Sequence, residues 1–136
     1  ALLAAAARIG APLGHDFCVI SLSDYLKPWS VIEKRLQAAS AGDFVLAIYN
    51  PTSKHRGGDV CKALEILKNT RGENTIAIIA TKIGREGESV KITTLSELNP
   101  DDVTMQSLLI IGSSRTRQVD KFVYTPRYYL ASESTP

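Results

Sequence analysis

The sixteen residues DFVLAIYNPTSKHRGG, from Asp43 to Gly58, decide the fold of this chain. They open as an apolar run that ends at Tyr49, break at Asn50-Pro51 and continue as a polar, basic loop. Such a run predicts a buried strand whose carboxyl end delivers a loop to the next helix. Ligands of open α/β sheets bind at the carboxyl ends of strands. We therefore expect the residues at and after the break to face a ligand.

Outside this stretch, short β-rich runs alternate with amphipathic helical patterns. Strands are predicted at residues 17–22, 44–49, 75–81, 89–93 and 108–111, with a brief signal at 122–124, and helices at 1–9, 29–39 and 60–67. The strand–helix rhythm favours parallel pairing, whereas the short connector 84–88 predicts a hairpin. We therefore predict a single α/β domain with a mixed, mostly parallel five-stranded sheet flanked by helices.

Composition limits the partners and the compartment. The 136 residues carry a net charge of +2, too small for a nucleic-acid binder. The apolar start is too short to span a bilayer and has no basic leader, so neither a membrane anchor nor a signal peptide is expected. Cys18 and Cys61 are predicted to be reduced, buried thiols, with no metal site, which fits the cytosol. The abrupt helical start, without Met, indicates a piece of a longer protein.

Two polar clusters are candidates for chemistry, each with a simpler alternative. Lys54, His55, Arg56 and Lys62 are the densest basic group and suit a phosphate or polycarboxylate ligand, or form only a solvated face. His15-Asp16 is either an oriented imidazole–carboxylate pair or a loop without a catalytic role. The residues by themselves thus predict a fold and a ligand edge, but no reaction.

Several motifs follow one another along nearly the whole chain. They are GAPLGHDF at 10–17, ISLSDYLKPW at 20–29, YNPTSKHR at 49–56, GREGE at 84–88, TLSEL at 94–98, IG at 111–112 and TPR at 125–127. This ordered set resembles the precorrin-3B C(17)-methyltransferases of cobalamin biosynthesis, in the tetrapyrrole methylase family.

The resemblance implies two α/β domains with S-adenosylmethionine bound between them, of which this chain matches only the C-terminal one. Residues 1–16 would then be a lead-in helix and interdomain linker, 17–130 the C-terminal domain and 131–136 a flexible tail. Without the N-terminal domain, the cofactor site is expected to be incomplete. An uncovered interdomain face would expose apolar side chains, which predicts self-association as a homodimer.

The resemblance also implies a reaction, methyl transfer to C-17 of the macrocycle with ring contraction, in which alignment of the reacting atoms does much of the work. No catalytic residue is assigned. Cofactor contacts are implied at three strand ends, namely Tyr49, Asn50, Ala80, Thr81, Met105, Gln106 and Ser107. Contacts to the carboxylates of the tetrapyrrole substrate are expected from Lys54 and Arg56, with His15, Asp16, Ser23 and Asp24 bordering the same cleft.

Two positions depart from the family pattern. Ser113 stands where Asn is expected, and Tyr128 stands where Gly is expected. A Tyr forced into a backbone conformation that needs Gly would cost about 1–2 kcal/mol. Two alternatives to the methyltransferase therefore remain: a non-catalytic binding or interaction module that keeps the fold, and a small anion-binding α/β domain unrelated to corrins.

Overall fold

The computed structural model describes residues 1–52 and 59–128. In chain order the elements are α1 (Leu2–Ile9), β1 (Gly10–Ala11), β2 (Phe17–Ser21), α2 (Trp29–Ala41), β3 (Val45–Tyr49), α3 (Asp59–Arg71), β4 (Ile76–Thr81), β5 (Ser89–Thr94), a 3-10 turn (Pro100–Asp102), β6 (Ser107–Ile111), β7 (Arg117–Val119) and β8 (Phe122–Tyr124). In these two ranges, no helix has the length and apolar character needed to cross a bilayer.

The main sheet has five strands in the order β2-β3-β6-β4-β5. The predicted mixed five-stranded sheet is confirmed, and β4 and β5 form the predicted hairpin. The expectation of mostly parallel pairing is wrong, because β2 with β3 is the one parallel pair in this sheet. Strands β2, β3 and β4 do point the same way, but β6 enters between β3 and β4 and runs against both.

A second, three-stranded sheet of order β1-β8-β7 was not predicted. Strand β1 is only two residues long, too short for a periodic pattern, and it pairs in parallel with β8. Gly10 makes this pairing possible: its φ is 128°, and a Cβ there would lie 2.6 Å from the carbonyl oxygen of Val123. Only glycine fits such an approach without strain.

Helices α2 and α3 cover one face of the main sheet. Their apolar residues recur at helical spacing, as in Ile32 and Leu36 of α2, and pack on Leu46 and Ile48 of β3. Helix α3 continues to Arg71, four residues beyond Leu67, the last residue of the predicted apolar stripe. Its last turn is polar and gives no apolar signal.

Helix α1 covers the opposite face of the main sheet. Leu2, Ala5 and Ile9 are buried there with Val45 and Ile110 of the sheet. The segment predicted as a lead-in helix and linker therefore packs directly on the domain through α1 and pairs with β8 through β1. Its assignment as an interdomain linker stays a prediction.

One cation joins three elements at the edge of the sheet where β3 begins. The Arg71 guanidinium donates hydrogen bonds to the carbonyl oxygens of Gly112, at 2.8 Å, and Ala39, at 3.2 Å, and to Ser40 Oγ at 3.1 Å. Burial lowers the pKa of Arg71, while Asp43 opposes that change. Burial also raises the pKa of the half-buried Cys18 thiol.

The second thiol corrects a prediction. Cys61 is exposed, not buried, because it lies on the solvent side of α3 beside the apolar stripe. Over residues 1–52 and 59–128, no three His, Cys, Asp or Glu side chains come together as a group that could hold a metal ion.

Candidate functional site

Three chain segments meet at the upper edge of the main sheet, which we define as the edge where β3 and β4 end and β6 begins. Tyr49 ends β3 and Thr81 ends β4, and Thr81 is directly opposite Ser107, the first residue of β6. The Lys82 N–H donates to the carbonyl oxygen of Gln106 at 3.2 Å, which extends this pairing past the strand ends. The three strand ends expected to contact a cofactor are therefore neighbours.

Asn50 turns the chain away from the sheet at the end of β3. Its φ of 52° lies in the left-handed region, which Asn adopts more readily than most residues. The side chain donates from Nδ2 to Ser21 Oγ at 2.9 Å, and the same oxygen accepts the Ser23 N–H at 3.2 Å. This pair of bonds ties the end of β2 to the end of β3.

Hydroxyl groups fix the turn that leads into β6. Ser107 Oγ lies 2.8 Å from Thr81 Oγ1 and 3.3 Å from Thr104 Oγ1, and it accepts the Thr104 N–H at 2.9 Å. Thr104 Oγ1 in turn accepts the Gln106 N–H at 3.2 Å. A hydroxyl has one proton and two lone pairs, so these partners use the full capacity of Ser107, which is 6% exposed. Its side chain supports the turn.

A cavity of about 260 Å³ opens at the upper edge. Five of the seven predicted cofactor residues line it, and the remaining two, Ala80 and Thr81, do not. The lining comprises Ala1, Tyr49, Asn50, Lys82, Ile83, Arg85, Met105, Gln106, Ser107 and Leu108. Ala80 is 1% exposed and packs under α1, while Thr81 bonds Ser107. Their geometry suits support of the wall more than contact with a ligand.

Two basic residues of this cavity, Lys82 and Arg85, were missed by the sequence reasoning. They lie in the connector between β4 and β5, just beyond the predicted Ala80-Thr81 contact. The available signal was their position immediately after a strand end, which is where the ligand edge was already expected. The sequence interpretation considered only the basic loop after Asn50, whose residues 53–58 lie outside the described ranges.

The carboxylate of Glu88, at the end of this connector, forms its bonds outside the cavity. Glu88 accepts the Gly84 N–H at 2.7 Å and pairs with the Arg8 guanidinium at 3.1 Å and 3.3 Å. The hydrogen bond from Gly84, followed by the bond from Arg8, lowers the pKa of the Glu88 carboxyl. The Glu88 carboxylate is thus directed toward α1, while Lys82 and Arg85 of the same connector line the cavity.

The remaining substrate predictions divide between the two edges. Ser23 and Asp24 follow β2 at the upper edge. His15 and Asp16 precede β2, and the Asp16 carbonyl accepts the Val45 N–H at the start of β3. With about 3.3 Å per strand residue, this position lies about 13 Å from the upper edge. His15 and Asp16 thus stand at the opposite ends of the strands from Ser23, and the expectation that all four border one substrate cleft stays a prediction.

The predicted basic arm, Lys54 and Arg56, lies outside the described residues. Two other grooves have volumes of about 390 Å³ each. One lies between α2 and α3, beside Trp29 and Lys62. The other lies next to Arg71 at the lower edge of the main sheet, where β3 and β4 begin and β6 ends. Among the described residues, neither groove is lined by a member of the predicted cofactor or substrate sets, although Lys62 of the basic cluster lines the first one. We therefore take the upper-edge cavity as the candidate site.

The structure accommodates both residues that depart from the family pattern. The Ser113 N–H donates to Thr116 Oγ1 at 2.9 Å, which lies 2.8 Å from Thr125 Oγ1, and Thr125 donates to the Pro12 carbonyl at 2.7 Å. Ser113 is thus part of a buried network at the lower edge. Tyr128 is 69% exposed and is not among the non-glycine residues with positive φ, so the expected backbone strain does not arise.

Comparison with known proteins identifies the family. Residues 1–99 match the family model of the Tetrapyrrole (Corrin/Porphyrin) Methylases. The chain is 46% identical over 134 residues to a precorrin-3B C(17)-methyltransferase of Sinorhizobium sp., covering 95% of this chain and 53% of the relative. It is 44% identical over 129 residues to a probable cobalt-factor III C(17)-methyltransferase of Salmonella typhimurium, covering 95% and 54%.

A solved structure of a methyltransferase has the same fold as this chain. The crystal structure of the methyltransferase CobJ superimposes with a TM-score of 0.89 at 42% identity, covering 93% of this chain and 53% of that one. The chain therefore spans about half the length of the curated relatives it matches. On these matches, the chain belongs to the tetrapyrrole methylase family.

Proposed function

We propose that this chain is the C-terminal half of an S-adenosylmethionine-dependent methyltransferase that acts on C-17 of precorrin-3B, with ring contraction, in cobalamin biosynthesis. The observation that carries the proposal is the 46% identity, over 95% of the chain, to an enzyme named for that reaction. Another relative is named for cobalt-factor III, so the cobalt-containing macrocycle is the second substrate to assay. In this proposal the enzyme works in the cytoplasm.

The cavity at the upper edge is chemically suited to one side of the cofactor. It offers an aromatic ring from Tyr49, a 54% exposed thioether from Met105, and the amides of Asn50 and Gln106. Apolar surface with a few placed polar groups is typical of sites for nucleoside-containing ligands. Its volume of about 260 Å³ falls below the usual range of about 300–1,000 Å³, which supports a half-site that a second domain completes.

When bound, S-adenosylmethionine supplies an electrophilic methyl group. This chain then has two tasks, to position the cofactor and to exclude water from it. Tyr49 and Met105 offer surfaces against which a flat or apolar group packs, and Gln106 offers an amide for orientation. The bonds of Ser107 with Thr81 and Thr104 hold the turn that carries Met105 and Gln106. Rigid alignment of reacting atoms provides a large share of such a rate enhancement.

For the tetrapyrrole, we propose that Lys54 and Arg56 pair with carboxylates of the macrocycle, and that Ser23 and Asp24 border the same side. Charge-assisted pairing of a cation with a carboxylate is the physical basis. We further propose that the missing N-terminal domain is the obligatory partner and that the assembled enzyme is a homodimer, which sedimentation analysis of the assembled protein tests directly.

Reconstitution tests the proposed activity. The chain is combined with the N-terminal half of the Sinorhizobium relative and supplied with precorrin-3B, or with cobalt-factor III, and methyl-labelled S-adenosylmethionine. We expect label in the macrocycle only when both halves are present. Absence of transfer from a folded, associated pair to either macrocycle would refute the proposal.

Calorimetry tests the half-site. We expect S-adenosylmethionine to bind the isolated chain weakly or not at all, and to bind the two halves together at least tenfold more tightly. Gln106→Ala should weaken binding to the assembled pair, whereas Gln37→Ala, on α2 and away from the cavity, should not. Micromolar binding to the chain alone would show that the site is complete here and would contradict the half-site.

A further inference from the structure

The upper-edge cavity contains a charge arrangement that the substrate predictions did not include. Among the ten described residues that line it are Lys82 and Arg85 and no Asp or Glu. Within the described ranges, neither cation forms a salt bridge. Two cations without a salt bridge, beside a cavity whose described walls carry no acid, create a local positive potential that attracts an anion.

The connector between β4 and β5 carries two acids, Glu86 and Glu88, and neither is among the described residues that line the cavity. Glu88 is occupied by the Gly84 N–H and by Arg8 of α1. The Arg85 N–H donates to the Lys82 carbonyl at 2.9 Å, and the Glu88 N–H donates to the Arg85 carbonyl at 3.2 Å. Successive turns therefore fix the backbone from 82 to 88, and the Glu88 carboxylate is engaged outside the cavity.

Lys82 is held in a costly conformation at the cavity wall. Its φ is 53°, in the left-handed region, and its N–H is bound to Gln106. Its side chain lies along Gly87, where an added Cβ would stand 3.5 Å from Cδ and 3.6 Å from Nζ. A non-glycine residue retained in this conformation is a feature that clusters at ligand sites.

From these observations we propose that Lys82 and Arg85 form a carboxylate-binding subsite at the mouth of the upper-edge cavity. The assignment rests on the proposed function for its ligand, because both the amino-acid end of S-adenosylmethionine and the substituents of the macrocycle present carboxylates. Arg85 offers a planar, forked donor and Lys82 a point charge, which together recognise a carboxylate through charge-assisted hydrogen bonds.

The first experiment examines the subsite without the cofactor. The isotope-labelled chain is titrated with glutarate, a small dicarboxylate, and with neutral glutaramide, while backbone amide resonances are followed by NMR. We expect saturable shifts at 82–85 and 105–107 with glutarate alone. Lys82→Gln with Arg85→Gln should weaken this binding at least fivefold. Lys34→Gln with Arg35→Gln, an exposed Lys–Arg pair on α2, should leave it within twofold.

Equal glutarate binding by the Lys82→Gln, Arg85→Gln variant, or no saturable shift at the cavity in the parent chain, would overturn the subsite. This readout needs no methyl transfer, so it decides the subsite even if the reconstituted enzyme proves inactive. Conversely, an active enzyme whose glutarate titration fails would leave the proposed function in place and remove this inference.

The assembled halves then identify the source of the carboxylate. S-adenosylhomocysteine is compared with 5′-methylthioadenosine, which lacks the amino-acid end. If the double variant weakens only the former at least fivefold, the subsite holds the cofactor carboxylate. If it instead raises the KM for the macrocycle with cofactor binding unchanged, the subsite holds a macrocycle carboxylate. No change in either quantity in an active enzyme would contradict a role for the subsite in this reaction.

Discussion

The hydrogen bond between Thr81 and Ser107 can be measured as a coupling energy. Thr81→Val keeps the shape of the side chain and removes the hydroxyl that lies 2.8 Å from Ser107 Oγ. A hydrogen bond of this kind contributes about 1 kcal/mol. Ser107→Ala removes the same bond and also the acceptor of the Thr104 N–H, so it should cost about 2 kcal/mol.

The double variant should lose about as much as Ser107→Ala alone, because the shared bond can be lost only once. The expected coupling energy is therefore about 1 kcal/mol. Urea unfolding of the parent, both single variants and the double variant, with equal m-values, provides the measurement. Ser107→Ala combined with Thr70→Val, whose hydroxyl bonds the Ile66 carbonyl within α3, should be additive as a control. Additivity of the Thr81–Ser107 pair within about 0.3 kcal/mol would refute the bond.

The same variants separate support from contact in the assembled enzyme. If Ser107 only holds the turn, Thr81→Val and Ser107→Ala should both weaken cofactor binding, in the order of their stability losses. If Ser107 instead contacts the cofactor directly, Ser107→Ala should weaken cofactor binding and Thr81→Val should not. Calorimetric titration of the two variants beside the parent distinguishes these roles, and an effect confined to Ser107→Ala would overturn the supporting role derived from the geometry.

Three further changes test other parts of the structure. Gly10→Ala places a Cβ 2.6 Å from the Val123 carbonyl oxygen at a φ of 128°, so it should cost at least about 2 kcal/mol in urea unfolding, and a loss below about 0.5 kcal/mol would contradict the β1–β8 pairing. Arg71→Met removes the charged donors of two backbone carbonyls. Burying the cation is itself unfavourable, as the lowered pKa of Arg71 reflects, so the net loss of unfolding free energy should be about 2–3 kcal/mol. The exposed control Lys34→Met should change it by less than about 0.5 kcal/mol. The pKa of Glu88 is lowered by its hydrogen bonds, so its stabilising effect is complete above its ordinary value of about 4.3 and is lost as the pH falls through the lower folded value. Thermal unfolding of Glu88→Gln should therefore show a lower Tm than the parent at pH 7 and an equal one near pH 2, and a difference that persists in acid would contradict this linkage.

The strands and helices of the core were predictable because their residues alternate or repeat with a clear period. The run from Val45 to Tyr49 is apolar at every position, and both faces of β3 are indeed buried. Helix ends were less predictable: α3 extends past its apolar stripe to Arg71, and the tertiary hydrogen bonds of that residue leave no local pattern. Strand β1, with two residues, leaves none either.

Strand order depended on information that no single segment contains. The apolar run of β6 is compatible with an edge or a central position in the sheet, and with either strand direction. Its place between β3 and β4 follows from packing of the whole sheet. The meeting of residues 49–50 and 105–107 at one edge was nonetheless anticipated, because a strand end is visible in the sequence, and their contact with a cofactor stays a prediction. The separation of His15 and Asp16 from Ser23 was not anticipated, because the interpretation did not separate residues that precede a strand from residues that follow one.

The antiparallel entry of β6 explains why the candidate site forms at the upper edge. Loops leave a sheet at the carboxyl ends of its strands, and β3 and β4 both end there. Because β6 runs the opposite way, the segment that leads into it arrives at that edge, so residues 105–107 meet residues that follow two other strands. Asn50 and Lys82, each just past a strand end, both adopt left-handed backbone conformations. Each such conformation turns the chain at the point where it leaves the sheet. The cavity between them is therefore a consequence of strand order, and its charge comes from the connector that this order brings beside it.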